Sequence, residues 1–268
     1  MSKRHSIRNK KRIVIKIGTS TITHTDTGHL DLVKMEHLSR ILTNLRNQNK
    51  EIIVVSSGAV GAGRKALGIK ERPTELAVKQ ACAAVGQARL MMIYEKLFAE
   101  YNQTIAQILI TKRVLVNETL REDAHNTTEQ LLSMGVIPIV NENDVVSPEE
   151  LKGENYGDND TLSAALSVMA KADLLILLSD IDGLYTDDPH KNPDAKLLHQ
   201  VDQIDEKLEA MGKGAGSTYG TGGMATKIEA AKMATESGID MVIANGEDLY
   251  NIVKILDGED VGTLFIGK

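Results

Sequence analysis

The chain has 268 residues, of which 42% are hydrophobic, and this is sufficient for a large buried core in an α/β protein. Its net charge of −6 and its 3% aromatic content argue against a nucleic-acid-binding surface, which needs a basic face and often stacking rings. No apolar run approaches the roughly 20 residues of a membrane-spanning helix.

The N-terminal segment is basic: six lysine and arginine residues lie within residues 1–12. Because it lacks the apolar run of a signal peptide, residues 1–11 are predicted to form a solvated tail, followed by a single domain over residues 12–268. Cys82 is the one cysteine and lies in an apolar stretch, which predicts a buried thiol in a reducing, cytoplasmic compartment.

Short β-branched runs alternate along the chain with helical patterns. The predicted strands are Arg12–Ile17, Glu51–Val55, Thr104–Leu109, Val136–Val140, Leu174–Leu178, Met241–Ala244 and Thr263–Ile266. The predicted helices are Leu32–Arg46, Glu75–Tyr101, Thr119–Met134, Thr161–Ala170, Met224–Ser237 and Leu249–Leu256. Apolar runs such as Leu174–Leu178 do not alternate with polar residues, which is typical of strands covered on both faces. The fold class is therefore α/β, with an open, mainly parallel sheet and helices on both faces.

Ligands of such folds bind beyond the carboxyl ends of the strands, and several of these ends carry notable residues. Lys16 lies inside the first strand, where a buried charge needs a partner, although a snorkelling or edge-strand lysine is an equal alternative. The second strand is followed by the glycine-rich residues 56–63. Their N–H groups could bind a carboxylate or a phosphate, or the glycines could serve tight packing.

Two clusters of amide and acidic side chains follow the fourth strand, at residues 141–144 and 157–160. One residue of the second cluster is predicted to be a helix N-cap. Amides pair with a carboxylate and acids pair with an ammonium group, so the remaining residues suit a small zwitterion.

A glycine pair precedes a predicted helix in residues 221–227, and a lysine follows it. Backbone N–H groups, the helix dipole and the lysine together favour phosphate binding, while plain capping is the alternative. The acidic segment 179–189 does not match a calcium loop, because Leu184 and Lys191 occupy ligand positions. No P-loop or dinucleotide fingerprint is present, and no metal site is predicted.

The chain resembles the amino-acid kinase family over nearly its whole length, with the matching segments in the same order along the chain. The matching segments are residues 14–20, 57–60, 80–87, 141–144, 157–160, 184–186 and 221–227. The resemblance implies an αβα sandwich and, most closely, members that transfer the ATP γ-phosphoryl group to the γ-carboxylate of L-glutamate. The product is γ-glutamyl phosphate, for proline biosynthesis. It also implies Mg²⁺, held mainly by phosphates and water.

The resemblance assigns roles to individual residues. Lys16, Lys227 and Asp160 would be catalytic, with the two lysines on the phosphates and the acid orienting them. The nucleotide would contact Lys16, Ser179, Asp180, Thr221, Gly222, Gly223, Met224, Ala225, Thr226 and Lys227. Glutamate would contact Ser57, Gly58, Asn141, Asp144, Asp158 and Asn159. The glutamate site would thus lie in the N-terminal part and the ATP site in the C-terminal part.

The chain departs from the family pattern at two points. Many members carry a lysine where Asn155 stands, and Lys152 could substitute for it. Many bacterial members also carry a C-terminal PUA domain, which this chain is expected to lack.

The resemblance further implies a homodimer or homotetramer and inhibition by L-proline. The alternatives are a kinase for acetylglutamate or aspartate, or a non-catalytic amino-acid sensor.

Overall fold

The structure is a computed structural model that describes residues 3–146, 159–187, 189, 192–206, 208–209 and 223–268. These residues form two compact units. The first unit contains the described residues up to Lys16 together with those from Asn159 onward, and the second unit runs from Ile17 to Val146. Whether residues 12–268 act as one domain stays a prediction.

The elements of the described residues are numbered here in chain order. The strands are β1 (Arg12–Ile17), β2 (Glu51–Ser56), β3 (Ile105–Ile110), β4 (Ile137–Glu142), β5 (Leu174–Ser179), β6 (Gln200–Val201), β7 (Asp240–Asn245) and β8 (Thr263–Phe265). The α-helices are α1 (Thr19–Ile22), α2 (Leu32–Asn47), α3 (Ala59–Ala66), α4 (Leu76–Ala99), α5 (Lys112–Val116), α6 (Glu118–Ser133), α7 (Asn159–Met169), α8 (Met224–Glu236) and α9 (Asn251–Leu256). A 3₁₀ helix spans Lys3–Asn9.

The first unit is built on strands in the order β1-β5-β7-β8-β6. β5 and β7 are parallel, with Ser179 opposite Asn245 at their carboxyl ends, whereas β7 and β8 are antiparallel. Every residue of β5 is buried, because an apolar strand with cover on both faces has no solvent-facing side. This arrangement brings the ends of β5 and β7 together at one edge.

The second unit has the strand order β3-β4-β2, and both pairings are parallel. Its α2 begins where the Asp31 carboxylate accepts hydrogen bonds from two backbone N–H groups, as an N-cap should. Helices α3 and α4 pack at backbone distance. A Cβ added to Gly63 would lie 1.8 Å from the Cys82 carbonyl oxygen, and one added to Gly86 would lie 1.7 Å from that of Ala59.

The predicted mainly parallel α/β class is confirmed, and each of the seven predicted strands and six predicted helices has an observed counterpart with similar bounds. Residues 59–66 form α3, and Gly63 serves close packing, which is one of the two alternatives left open for the glycine-rich segment. Cys82 is buried with a free thiol, as predicted. Among the described helices, none combines the length and apolarity that crossing a bilayer would require.

The prediction of a solvated N-terminal tail is wrong for the described part of that segment. Ile7 is fully buried, and the Arg4 guanidinium is buried against the end of the first unit. Arg4 donates to the carbonyl oxygens of His199, Val261 and Gly262, the last at 2.9 Å. Because these acceptors are nearly 200 or more residues away in sequence, the basic composition gave no sign of the contact.

Candidate active site

Three charged side chains from three elements meet inside the first unit. Lys16 of β1 places its Nζ 2.6 Å from Oδ1 of Asp160, near the start of α7, and Lys227 of α8 places its Nζ 3.0 Å from Oδ2. Asp160 is completely buried, and both lysines are buried. The paired geometry excludes the snorkelling alternative for Lys16 and brings together all three predicted catalytic residues.

The electrostatics of this cluster depend on its two cations. Burial alone would raise the pKa of Asp160, but the nearby charges of Lys16 and Lys227 and their hydrogen bonds lower it below its ordinary value. The carboxylate therefore stays ionised at neutral pH. Two buried ammonium groups thus converge on one carboxylate, and this pair of cations suits an anionic ligand.

Helix α8 begins beside this cluster and has an open N-terminus. Gly223 is its N-cap, and within the described part of the chain no side chain caps the first backbone N–H groups. The hydroxyl of Thr226 donates to the Gly223 carbonyl oxygen at 2.8 Å, which fixes the first turn. With Lys227 in the same turn, the N–H groups of Met224 and Ala225, the helix dipole and a buried cation are available to an anion.

The adjacent ends of β5 and β7 carry a second polar group. The Ser179 hydroxyl donates to Asp180 at 3.0 Å, and the Ser179 carbonyl accepts from the Gly246 N–H at 2.7 Å. The amide of Asn245 donates to Asp182 at 2.8 Å. Ser179 and Asp180 thus lie where a ligand of a parallel sheet is expected, and sequence reasoning overlooked Asn245.

In the second unit, the carboxyl ends of β2 and β4 are neighbours. Val55 of β2 lies opposite Val140 of β4. Ser57 and Gly58, which follow the end of β2, therefore lie near Asn141, which is close to the end of β4. Gly58 has a φ of 103°, a left-handed conformation that favours glycine, and forms the N-cap of α3. Three of the predicted glutamate-binding residues therefore lie at one edge of this unit.

Asn141 is buried, and its amide is held at both ends. Its Oδ1 accepts from the N–H of Glu142, and its Nδ2 donates to Gln87 of α4, each at 2.9 Å. Asn141 is consequently oriented before any ligand arrives.

Asp144 is a buried acid in the loop that follows β4. Among the described residues its Oδ1 has no hydrogen-bond partner. Burial, and secondarily the charge of Glu142, raises the pKa of Asp144 to about 7. A ligand with a positive group would supply what this carboxylate lacks.

The remaining predicted site residues are accounted for individually. Asn159 is buried at the first position of α7. Asp158, Thr221, Gly222, Lys152 and Asn155 lie outside the described residues. Within the part of the chain that the structure describes, no three His, Cys, Asp or Glu side chains form a group that could hold a metal ion.

Sequence reasoning also missed the roles of Gln80, Gln87 and Tyr94. The two glutamines belong to a segment used above for the resemblance, yet no chemistry was assigned to them. All three are seven residues apart, and this spacing places them on one face of α4. A search for polar residues at helical spacing within an apolar helix would have found them.

Comparison with known proteins places these geometries in a family. Residues 11–245 match the model of the amino acid kinase family. The glutamate 5-kinase of Clostridium perfringens is 49% identical over 266 residues, covering 99% of this chain and 98% of that protein. The glutamate 5-kinase of Clostridium acetobutylicum is 54% identical over 260 residues, covering 97% and 96%.

Solved structures agree at the level of the fold. The carbamate kinase of Giardia lamblia bound to AMP-PNP has a TM-score of 0.65 at 15% identity, covering 97% of this chain and all of that one. The UMP kinase of Ureaplasma parvum has a TM-score of 0.65 at 16% identity, covering 96% and 99%. With a family model across most of its length and relatives near half identity, the chain belongs to the amino acid kinase family.

Proposed function

We propose that this protein transfers the γ-phosphoryl group of ATP to the γ-carboxylate of L-glutamate, giving γ-glutamyl phosphate and ADP for proline biosynthesis. The carrying observation is the buried cluster in which the ammonium groups of Lys16 and Lys227 converge on the carboxylate of Asp160. Relatives of 49% and 54% identity that are glutamate 5-kinases support the choice of substrate.

The reaction needs positioning and charge stabilisation more than it needs a base. A γ-carboxylate has an ordinary pKa near ~4.3, so it is already ionised at neutral pH and can attack without losing a proton. One of its oxygens forms a bond to the γ-phosphorus while the bond from that phosphorus to its bridging oxygen breaks. The bridging oxygen leaves on ADP, and negative charge spreads over the transferred group.

The first unit carries the groups that can stabilise this charge. Lys16 and Lys227 are proposed to contact phosphate oxygens, and the uncapped N–H groups of α8 add further donors. Asp160 holds both ammonium groups in place before the substrates bind, so little reorganisation is needed during the transfer. Ser179 and Asp180 are proposed to contact the nucleotide, as are Thr221 and Gly222, which lie outside the described residues.

The second unit carries groups that match the glutamate backbone. We assign the substrate ammonium to Asp144, because an oxygen of this buried carboxylate has no hydrogen-bond partner among the described residues and its pKa is raised to about 7. An N-acetylated amine carries no charge and would leave this carboxylate uncompensated, which favours free glutamate over acetylglutamate. Ser57, Gly58 and Asn141 of this unit are proposed to contact the remaining polar groups of glutamate. The resemblance adds Asn159, which belongs to the first unit, and Asp158, which lies outside the described residues.

Magnesium would serve this reaction by neutralising phosphate charge when it is bound. The described residues offer no cluster of acidic ligands for it. This fits an ion that keeps several waters and is held mainly by substrate phosphates. The described part of the protein contributes the lysine pair to the same task of neutralising phosphate charge.

The test is to trap the acyl phosphate with hydroxylamine in the presence of MgATP. L-glutamate, L-aspartate and N-acetyl-L-glutamate are compared at equal concentration. We expect hydroxamate with L-glutamate and at least about tenfold less with the other two. N-acetyl-L-glutamate lacks the ammonium group that Asp144 would bind, and L-aspartate is one methylene shorter. Turnover of another substrate but not of glutamate would refute the proposal, and no turnover of any substrate would favour the sensor.

Three further properties are proposed on the resemblance alone. The protein is a homodimer or homotetramer, L-proline inhibits it, and it works in the cytoplasm, where the buried free thiol of Cys82 would stay reduced. Light scattering of the purified chain and addition of L-proline to the hydroxamate assay test the first two.

A further inference from the structure

Helix α4 carries a row of three polar side chains on one face, at Gln80, Gln87 and Tyr94. Seven residues correspond to almost two full helical turns, so the three side chains lie one above another. We refer to them as the polar row of α4. Tyr94 contacts the end of β2, Gln87 contacts the end of β4, and Gln80 contacts the loop that follows β4.

Gln87 is the hydrogen-bond acceptor in its contact with Asn141, and the surrounding backbone fixes this direction. Asn141 Oδ1 accepts from the backbone N–H of Glu142, so its Nδ2 must face Gln87. Gln87 therefore presents its Oε1 as the acceptor, at 2.9 Å. The orientation of both amides follows from one backbone donor, and Gln87 is what holds Asn141 in this orientation.

Gln80 contacts the other end of the same loop. Its Nε2 donates to the carbonyl oxygens of Val145 at 3.1 Å and of Asp144 at 3.4 Å. These bonds fix the backbone from which the Asp144 side chain projects. The two glutamines thus hold the loop at its first and its last functional residue.

Tyr94 acts on the neighbouring strand. It is fully buried, and its hydroxyl lies 2.9 Å from that of Ser56. The Ser56 hydroxyl also lies 3.3 Å from the carbonyl oxygen of Ser57, to which it can donate. A hydrogen-bonded chain therefore leads from α4 to the start of the loop that carries Ser57 and Gly58.

The helix that carries the row is itself held at backbone distance. Gly86, next to Gln87, contacts α3 so closely that an added Cβ would lie 1.7 Å from the Ala59 carbonyl oxygen. Ala59 directly follows Gly58, so the close packing ties the helix to the same loop. The polar row is consequently part of a rigid frame and not a set of isolated surface contacts.

We propose that the polar row of α4 positions the two loops that bind glutamate, with Gln87 acting through Asn141, Gln80 through the backbone of Asp144, and Tyr94 through Ser56. This inference rests on the proposed function, because it assigns these loops to glutamate. It makes the three side chains positioning residues that do not contact the substrate. Their loss should weaken glutamate binding and leave ATP binding intact.

The experiment measures KM for L-glutamate and KM for ATP in Gln80→Met, Gln87→Met and Tyr94→Phe by the hydroxamate assay. Each change removes hydrogen bonds while nearly keeping side-chain volume. We expect KM for L-glutamate to rise about three- to tenfold in both glutamine variants, and less in Tyr94→Phe, as expected for the loss of one or two hydrogen bonds. KM for ATP should stay within about twofold of the wild-type value.

Matched controls exist in the same unit. Tyr101→Phe removes a tyrosine hydroxyl that donates to Glu36, and Gln103→Met removes a glutamine that donates to the carbonyl oxygens of Thr104 and Gly135. Neither control should change KM for L-glutamate. Combining Gln87→Met with Asn141→Ala should add less than about twofold to the effect of Asn141→Ala, because Gln87 acts through that residue.

The outcomes separate this inference from the function on which it rests. Wild-type protein that fails to phosphorylate glutamate would overturn both. Wild-type turnover, with KM for L-glutamate unchanged in the two glutamine variants or with KM for ATP raised equally, would overturn the positioning role alone. Should Gln87→Met fail to fold by circular dichroism, the half-buried Gln80→Met still decides between these outcomes.

Discussion

The two units of the molecule bury charged groups of opposite sign near their strand ends. In the first unit, two lysines, Lys16 and Lys227, converge on the carboxylate of Asp160. In the second unit, Asp144 is a buried acid with an oxygen that has no hydrogen-bond partner among the described residues. A phosphate and an ammonium group are the complements of these two sites, and ATP and an amino acid supply them.

The surroundings of the two charges also differ. The lysines are held by an ionised partner, whereas the loop that carries Asp144 is held by neutral amides from α4. A charged partner keeps two cations fixed where charge will develop, while neutral hydrogen bonds fix a loop without altering its charge. The four predictions that follow test this division between charge stabilisation and recognition, beginning with the largest expected effect.

Removal of the central carboxylate should have the largest effect on stability. Asp160→Asn leaves two buried ammonium groups next to each other without their counter-charge, so we expect a loss of about 3–5 kcal/mol in the free energy of unfolding. Urea denaturation at pH 7 measures it. Asp202→Asn is the control, because its contact with Lys3 at 3.9 Å lies at the surface. Equal stabilities of the two variants would contradict a structural role for the cluster.

A small change in the second unit should test its frame. Gly86→Ala places a methyl group 1.7 Å from the Ala59 carbonyl oxygen, so α3 and α4 must separate, and we expect a loss of about 3 kcal/mol. Gly61→Ala is the matched control, because a Cβ there has open space. The control should be neutral or slightly stabilising, since alanine is the better helix former. A stable Gly86→Ala variant in urea denaturation would mean that the frame is not rigid.

Removal of a single lysine should affect rate more than substrate recognition. Lys227→Ala takes away a cation from the transferring group, and we expect kcat to fall about a hundredfold or more, which corresponds to about 2.7 kcal/mol. KM for L-glutamate should change little. Lys232→Ala removes a lysine of the same helix that pairs with Glu209 at the surface, and it should leave kcat unchanged. An unchanged rate in Lys227→Ala would refute its role in phosphoryl transfer.

The sequence predicted most of the fold because periodicity and turn residues are local signals. β1 was predicted with its observed bounds, and the buried run of β5 predicted a parallel sheet. β6 was missed, since it has two residues and depends on pairing with β8, more than 60 positions away. Burial of Arg4 depends on carbonyl groups that are still more distant in sequence, at separations of 195 and 257 residues, which composition cannot reveal.

The residues of the candidate site also differ in whether a local sequence pattern or a distant contact determines them. The contact between Lys16 and Asp160 was implied by resemblance, because both residues occupy recognisable motifs. Gln87 lies in such a motif too, but its contact with Asn141 requires the positions of a helix and a strand that no local pattern specifies. Positioning residues are therefore harder to predict than the ligands they hold.

The smallest expected effect concerns pH and Asp144. Burial, aided by Glu142, raises its pKa to about 7, so the folded protein binds this proton more tightly than the unfolded chain does. Stability should therefore decrease as pH rises from about 4 to 7, and Asp144→Asn should remove that decrease. We expect the stability of the variant relative to the wild type to be greater at pH 8 than at pH 4, in urea denaturation at both pH values.

Two measurements connect this pH effect to recognition. Asp123→Asn, an exposed change in the same unit, should show no such pH dependence. Wild-type KM for L-glutamate should rise as pH falls from 8 to 6, because a protonated Asp144 cannot pair with the substrate ammonium. In Asp144→Asn, KM should be high and flat across this range. A stabilised variant that binds glutamate normally would separate the buried acid from the amine and move recognition of the ammonium group to another residue.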